Sequence, residues 1–290
     1  MEKWPNFFIV GAPKAGTTSI YEYLKNHPQI FMSPIKEPNY FAINILTQND
    51  PINPIRNKKK YLELFKDVKN ELVIGEASTH YLSDHDAPKS IHDITPTARI
   101  LISLRDPVER EFSHFLMHQG YGQTIRNFHE QLKIEIENYQ TSTEYFALKH
   151  GMYYENVKRY VDIFGNNQVK IIIFEEFIKN PKEGIEEILR FLDLDPKLAI
   201  FKNKIHNPYK IVRGPIAHRV LESKKLSKLA KSFMSESIRV SIKEKFFLKR
   251  QKKPELESKD RTTLIKFYQE DVKKLESVIG RRLQWRNFEK

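Results

Sequence analysis

Residues 7–19 restrict the fold of this chain more than any other segment. Four apolar residues beginning at Phe7 predict a buried strand that ends at Gly11, and a Thr-Thr-Ser run beginning at Thr17 predicts a helix that runs to about Asn26. The first N–H groups of a helix have no partners within the helix, and the helix dipole is positive at that end. A strand, a glycine-flanked loop and a helix N-terminus therefore predict a site for an anion.

The loop has nearly the spacing of the nucleotide-binding P-loop, G-x-x-x-x-G-K-[ST]. Thr17 stands where that motif has its lysine, and Lys14 lies inside the loop instead. Backbone N–H groups and hydroxyls can donate to a phosphate, and a lysine adds positive charge beside it. We expect phosphate binding without the arrangement for a β/γ-phosphate and Mg²⁺. The expected binding residues are Lys14, Ala15, Gly16, Thr17, Thr18 and Ser19.

Apolar strands alternate with helical stretches over the first two thirds of the chain. We predict strands at 7–10, 72–76, 99–105 and 168–174, and none past Leu194. Such alternation predicts an α/β fold with a mainly parallel sheet flanked by helices and joined by right-handed crossovers. The main helical stretches are predicted at 106–118, 125–138, 153–164, 181–192, 215–250 and 258–279.

A second candidate for phosphate binding is Arg105, at the end of a predicted strand. Ligands of open α/β sheets bind at the carboxyl ends of the strands. The following Asp106 and Pro107 predict a helix start, and Ser113 lies two turns further on. A guanidinium can bind a phosphate through two parallel hydrogen bonds. The alternative is an arginine paired with a neighbouring acid, Asp106 or Glu109.

The two strings together resemble those of the sulfotransferases that use 3′-phosphoadenylyl sulfate (PAPS). That family has a 5′-phosphosulfate loop, P-K-x-G-T-T, and a 3′-phosphate motif, R-[DN]-P-x-x-x-x-x-S. This chain has both, in order, at 13–18 and 105–113. The strand and helix order matches over about 5–195, and residues 264–285 resemble the closing helix of carbohydrate-type and bacterial members. The resemblance implies a P-loop-like fold, PAPS as co-substrate with no metal required, and sulfuryl transfer to a hydroxyl or amine.

The string from Lys36 to Phe41 resembles one in the heparan-type branch, where a Glu acts as general base. Glu37 is the matching position. An acceptor hydroxyl must lose its proton as the S–O bond forms, and a carboxylate within reach can take it. Burial can raise the pKa of such a carboxylate toward neutrality. The alternative is a structural acid beside Pro38.

A further string begins at Glu76, at the end of another predicted strand. Heparan-type enzymes often have Glu-Lys-[ST]-x-x-Tyr there, but this chain has Ala77 at the lysine position. That departure puts heparan substrates in doubt. Lys36 is a candidate for the missing charge, Glu76 for orienting the acceptor or the loop lysine, and His80 for an alternative base. A structural histidine is the competing interpretation of His80.

The positive charge is concentrated near the C-terminus. Residues 201–253 contain sixteen Lys and Arg against three Asp and Glu, a local charge of +13 in a chain whose net charge is +12. This predicts contact with an acidic polymer or a membrane surface, unless the charges are only a solvated face. Arg213 and Gly214 match the family's loop over the 3′-phosphate and adenine, or else belong to a basic linker. No module for reading bases is recognisable, so no specific nucleic acid is expected.

The composition is that of one globular unit. The chain has 290 residues, is 40% hydrophobic and contains no cysteine. We expect a single sulfotransferase domain over 1–290, with a core at about 5–195 and a helical, basic closing segment at about 196–290. The first strand begins so near Met1 that no cleavable leader is expected, and no apolar run reaches 18 residues, so we predict a soluble, cytoplasmic protein. The sequence leaves the oligomeric state open.

Two other functions match parts of the sequence. An atypical P-loop kinase or NTPase is disfavoured by Thr17 and by a strand that ends in Arg105 instead of an acid for Mg²⁺. A non-catalytic protein could keep the nucleotide pocket and hold an acidic polymer or membrane through 201–253. For an enzyme, a carbohydrate or glycolipid acceptor fits the Glu37 string best, while a small phenol, an alcohol and a peptide tyrosine stay open.

Overall fold

The computed structural model describes residues 2–46, 54–120, 124, 126–140, 147–201, 210–212, 248–250 and 253–289. At its centre is a five-stranded sheet whose paired strands all run parallel. In space the order of the strands is β2-β3-β1-β4-β5. Their bounds are β1 Phe7–Gly11, β2 Ile30–Met32, β3 Val73–Ala77, β4 Arg99–Leu104 and β5 Val169–Ile173.

Helices cover both faces of the sheet. Alternate residues of β1 point to opposite faces, so Phe7 and Ile9 belong to one apolar core, and Phe8 and Val10 belong to the other. Because both faces are covered, β1 is a continuous apolar run, as expected of a central parallel strand. The helices are α1 Thr17–Leu24, α2 Lys58–Glu63, α3 Ala87–Ile94, α4 Pro107–Gly120, α5 Phe128–Glu137, α6 Tyr154–Phe164, α7 Phe174–Lys179, α8 Pro181–Phe191 and α9 Ser258–Ile279.

The predicted α/β fold is confirmed. Strands β3, β1 and β4 are neighbours, so their carboxyl ends lie side by side at one edge of the sheet. Each of these strand ends leads into a string of candidate site residues. The strings lie at 11–19, 76–81 and 105–113. The sheet thus gathers segments that are about 90 residues apart in the chain.

The C-terminal helix packs into the main core. Leu264, Tyr268 and Leu275 of α9 are fully buried, and so is Trp285 beyond it. Gly280 ends the helix in the left-handed conformation, at φ 76°, which glycine adopts without steric cost. This matches the predicted helix at 258–279 and its glycine cap.

The prediction that no strand follows Leu194 is wrong. Residues Lys210–Val212 form β6 and residues Leu248–Arg250 form β7, which pair antiparallel. The last three residues of the stretch predicted as helix, 215–250, are therefore extended. Each strand is only three residues long, and its partner lies more than 30 residues away, so local periodicity does not reveal the pairing.

Candidate active site

The loop between β1 and α1 is anchored to the neighbouring strand β4. The Ala12 N–H donates to the Ser103 carbonyl at 2.6 Å, and the Ser103 hydroxyl donates to the Ala15 carbonyl at 2.6 Å. The Ala15 N–H donates back to the Ala12 carbonyl at 3.2 Å. These hydrogen bonds hold the loop against β4 at Ala12 and at Ala15.

The N-terminus of α1 presents free amide groups. The Ser19 and Ile20 N–H groups donate to the Gly16 carbonyl at 3.0 and 3.2 Å, which begins the hydrogen bonding of the helix. Among the described residues, the N–H groups of Gly16, Thr17 and Thr18 have no backbone acceptor. Such a set of donors at the positive end of a helix is suited to bind an anion.

Gly16 is required at its position for two reasons. Its φ is 80°, in the left-handed region, and a Cβ built on it would lie 2.6 Å from a ring carbon of Phe174. The first residue of α7 therefore packs directly against the loop. A side chain at this position would have to displace that ring.

Lys14 lies inside the loop, also with a left-handed φ, at 69°. Its Nζ donates to the Met117 sulfur at 3.4 Å, and a thioether is a weak acceptor. Burial and the charge of Arg105 lower the pKa of Lys14 to about 8, while Glu37 works in the opposite direction. Lys14 is therefore a cation that an anionic ligand can stabilise.

Arg105 follows β4 and reaches the same loop. Its Nη1 donates to the Lys14 carbonyl at 3.1 Å, and its guanidinium lies 4.9 Å from the centre of the Phe174 ring. Its buried Nε has no hydrogen-bond partner in the described part of the chain, and burial lowers the pKa of Arg105. A guanidinium with an unused donor is prepared to bind an anion. Ser113 lies half-buried further along α4.

Asp106 does not pair with the guanidinium of Arg105. One of its oxygens accepts from the Val108 N–H at 2.9 Å and caps α4, and the other accepts from the Asn287 side-chain amide at 2.8 Å. The Asp106 N–H donates to Glu175, which also accepts from the Trp285 indole at 3.0 Å. The C-terminal segment is therefore bonded directly to the end of β4.

Glu37 lies beside the carboxyl end of β3. Its backbone N–H donates to the Ala77 carbonyl at 2.8 Å, and its side chain is 28% exposed, so an acceptor can reach it. The carboxylate pairs with Lys36 at 2.6 Å and lies 3.8 Å from His80 Nδ1. Three of the predicted acceptor-side residues, Lys36, Glu37 and His80, are thus together.

The pKa of Glu37 is lowered and is not raised toward neutrality. Burial works to raise its pKa, but Lys36, His80 and a hydrogen bond from Thr79 outweigh burial and hold the pKa below its ordinary value. Glu37 is therefore ionised at neutral pH. An ionised carboxylate is in the correct state to accept a proton.

Glu76 is fully buried beneath the turn at residues 37–41, which carries Glu37. Its carboxylate accepts hydrogen bonds from the hydroxyls of Tyr61, Ser78 and Tyr81 at 2.6, 2.8 and 2.9 Å. Burial raises the pKa of Glu76 to about 7, although the three hydroxyls work against that shift.

His80 belongs to a cluster of four histidines beside the site, and the other three, His114, His118 and His150, were not predicted from the sequence. The rings of His80 and His150 are 5.8 Å apart, those of His150 and His114 are 6.1 Å apart, and His114 Nε2 lies 3.0 Å from His118 Nε2. Burial lowers the pKa values of His114, His118 and His150, which favours neutral rings. The i,i+4 spacing of His114 and His118 on a predicted helix was the available signal.

Some predictions lie outside the described residues. These include Arg213 and Gly214, and nearly all of the basic segment 201–253. In the ranges that are described, no helix is both long and apolar enough to cross a membrane. The same ranges hold no group of three or more His, Asp and Glu side chains arranged for a metal ion.

Comparison with known proteins begins with a family model. The model described as "Sulfotransferase domain" matches residues 5–276. The chain is also 25% identical to human carbohydrate sulfotransferase 15 over 66% of its own length and 44% of that protein. It is 24% identical to mouse bifunctional heparan sulfate N-deacetylase/N-sulfotransferase 4 over 96% of its length and 30% of that protein. The chain therefore spans less than half of the length of either curated relative.

A solved structure matches over nearly the whole chain. The sulfotransferase from Alicyclobacillus acidocaldarius is 30% identical, covers 97% of this chain with 98% of its own, and superimposes with a TM-score of 0.73. The resemblance carried by the strings at 13–18 and 105–113 is thus confirmed. This chain belongs to the sulfotransferase family.

Proposed function

We propose that the chain moves the sulfuryl group of PAPS to a hydroxyl or amine of a carbohydrate or glycolipid, with Glu37 as the general base. The observation that carries this proposal is the proximity of Glu37 to the phosphate loop. The carboxylate is near enough to Lys14 for its charge to oppose burial and Arg105 in setting the pKa of that lysine. A base on an accessible turn therefore lies close enough to the cation of the donor loop for the two charges to interact.

The donor side is supported by three features of the same strand edge. The free N–H groups at the start of α1 and the Lys14 ammonium are suited to a phosphosulfate. Arg105, with its unused Nε, is suited to a terminal phosphate such as the 3′-phosphate, together with Ser113. Arg105 stands at the strand end where an NTPase would have an acid for Mg²⁺. The proposed donor is a phosphosulfate and not a metal-bound triphosphate, so this assignment does not require such an acid.

The proposed reaction is an in-line displacement at sulfur. The acceptor oxygen or nitrogen forms a bond to sulfur while the bond from sulfur to the bridging oxygen of the phosphosulfate breaks. Glu37 takes the acceptor's proton, and adenosine 3′,5′-bisphosphate leaves with the electron pair of the broken bond. Lys14 and the loop N–H groups stabilise the negative charge that grows on the bridging oxygen. Positioning and preorganised charge supply most of such catalysis.

A glycan acceptor is favoured by the Glu37 string and by the names of the two curated relatives, which are carbohydrate and heparan sulfate sulfotransferases. Ala77 replaces the lysine of the heparan-type string, and Lys36 is bound to Glu37 instead. We therefore propose a carbohydrate hydroxyl without assigning a heparan sequence. Lys36 then keeps the Glu37 carboxylate ionised until the acceptor binds.

The test separates catalysis from donor binding. Glu37→Gln is expected to reduce kcat about 10²- to 10³-fold, the size of the loss when one catalytic contact is removed. Its affinity for adenosine 3′,5′-bisphosphate, measured by titration calorimetry, should stay within about threefold of wild type. Glu63→Gln, which changes an exposed acid of α2 that pairs with Lys66 at 3.7 Å, is the matched control and should keep the wild-type rate. Near wild-type turnover of Glu37→Gln would refute the base assignment.

A further inference from the structure

The turn that carries Glu37 has a backbone that needs support from outside. Glu37 and Asn39 both have left-handed φ values, 65° and 52°, which non-glycine residues rarely adopt. Conformations of this kind persist only where the surroundings enforce them. The Asn39 side chain supplies part of the support by donating to the Glu37 carbonyl at 2.9 Å. The rest comes from the layer below.

Two hydroxyls in that layer hold the turn by its backbone. The Asn39 N–H donates to the Ser78 Oγ at 3.0 Å, and the Phe41 N–H donates to the Tyr81 hydroxyl at 3.3 Å. Both hydroxyls in turn donate to the carboxylate of Glu76. A short hydrogen-bonded path therefore leads from Glu76 to each side of the turn.

The direction of these bonds depends on the carboxylate. Each hydroxyl has one proton, so Ser78 and Tyr81 can accept from the turn and donate to only one other group. In its ionised form Glu76 accepts on both oxygens and donates on neither, so it then fixes both hydroxyl protons away from the turn. The Tyr61 hydroxyl donates to the same carboxylate at 2.6 Å but, in the described part of the chain, makes no hydrogen bond to the turn's backbone.

We infer that Glu76 is a positioning residue: through Ser78 and Tyr81 it holds the turn that presents Glu37 to the acceptor. The inference rests on the proposed role of Glu37 as base. In this role Glu76 does not contact the acceptor, which agrees with its complete burial. Misplacement of a catalytic group by about 1 Å can cost about 10²-fold in rate.

The experiment compares three variants of the same network. Ser78→Ala and Tyr81→Phe each remove a hydroxyl that links Glu76 to the turn, whereas Tyr61→Phe removes a hydroxyl that bonds to Glu76 alone. The first two are expected to lower kcat at least about tenfold with affinity for adenosine 3′,5′-bisphosphate unchanged. Tyr61→Phe should keep kcat within about threefold. The assay uses PAPS with desulfated chondroitin and heparan oligosaccharides as acceptors.

Hydrogen exchange gives a readout that needs no acceptor. Amides of residues 37–41 should exchange faster in Ser78→Ala and Tyr81→Phe than in wild type, and should be unchanged in Tyr61→Phe. Thermal melting of each variant separates this local effect from a general loss of stability. Glu76→Gln provides a fourth variant, because its amide nitrogen cannot accept from a hydroxyl, and it should show both the faster exchange and the lower kcat.

Two outcomes would overturn the inference, and they are distinguishable. If Glu37→Gln loses activity while Ser78→Ala and Tyr81→Phe behave like Tyr61→Phe in rate and exchange, Glu37 remains the base and the positioning role is wrong. If Glu37→Gln is fully active, the base assignment is wrong, and the positioning role falls with it.

Discussion

Binding of adenosine 3′,5′-bisphosphate is expected to weaken about tenfold between pH 7 and pH 9, because Lys14 loses its charge in that interval. Burial and the charge of Arg105 lower the pKa of Lys14 to about 8. Its hydrogen-bond partner is the Met117 thioether, which offers the ammonium little stabilisation. A group with this pKa is about nine-tenths protonated at pH 7 and about one-tenth protonated at pH 9. The charge is present below the pKa and lost above it, so affinity falls as the pH rises.

The assay is titration calorimetry with the bisphosphate at pH 7, 8 and 9 and constant ionic strength. Lys14→Arg is the matched control, because a guanidinium keeps its charge over this range, and its affinity should change less than about twofold. Lys14→Met should bind weakly and without a pH-dependent decline. A flat wild-type profile, or an equally steep decline in Lys14→Arg, would refute the reasoning.

Two further changes test the phosphate loop. Gly16→Ala should lower the free energy of unfolding by about 2–4 kcal/mol in urea denaturation, because it combines left-handed strain with a clash against Phe174. Gly280→Ala has a similar left-handed backbone, with φ 76° and ψ 12°, but open space around it, so it should cost only about 1 kcal/mol, and equal losses would count against the clash. Arg105→Lys keeps the charge but loses the planar guanidinium, and should weaken bisphosphate binding about tenfold in calorimetry; unchanged binding would contradict the 3′-phosphate role.

Local patterns predicted the elements that form the donor side of the site. The start of α1 at Thr17, the end of β4 within one residue of the predicted Arg105 and the cap of α9 at Gly280 all follow from short-range physics: apolar runs, helix capping and the conformational freedom of glycine. Each signal lies within a few residues of the feature that it predicts. The parallel direction of the strands then follows from their alternation with helices.

The acceptor side depended on contacts that a sequence does not display. The ion pair of Glu37 with Lys36 and the nearby His80 reverses the effect of burial on its pKa, which only the folded geometry reveals. Glu76 is an acid at a strand end, and from the sequence alone this position suggested a residue that contacts the acceptor or the loop lysine. Its three hydroxyl partners come from residues 61, 78 and 81, and tertiary packing makes it a buried acceptor.

Transfer of labelled sulfuryl from PAPS is the direct measurement of the proposed activity. Wild-type protein is incubated with ³⁵S-labelled PAPS and a panel of desulfated glycosaminoglycan oligosaccharides, a glycolipid, a phenol and a tyrosine peptide, with Glu37→Gln beside it. We expect label on a carbohydrate acceptor, release of adenosine 3′,5′-bisphosphate, and a loss of about 10²-fold or more in Glu37→Gln. Absence of transfer to every acceptor, together with ATP turnover that requires Mg²⁺, would contradict the proposed activity.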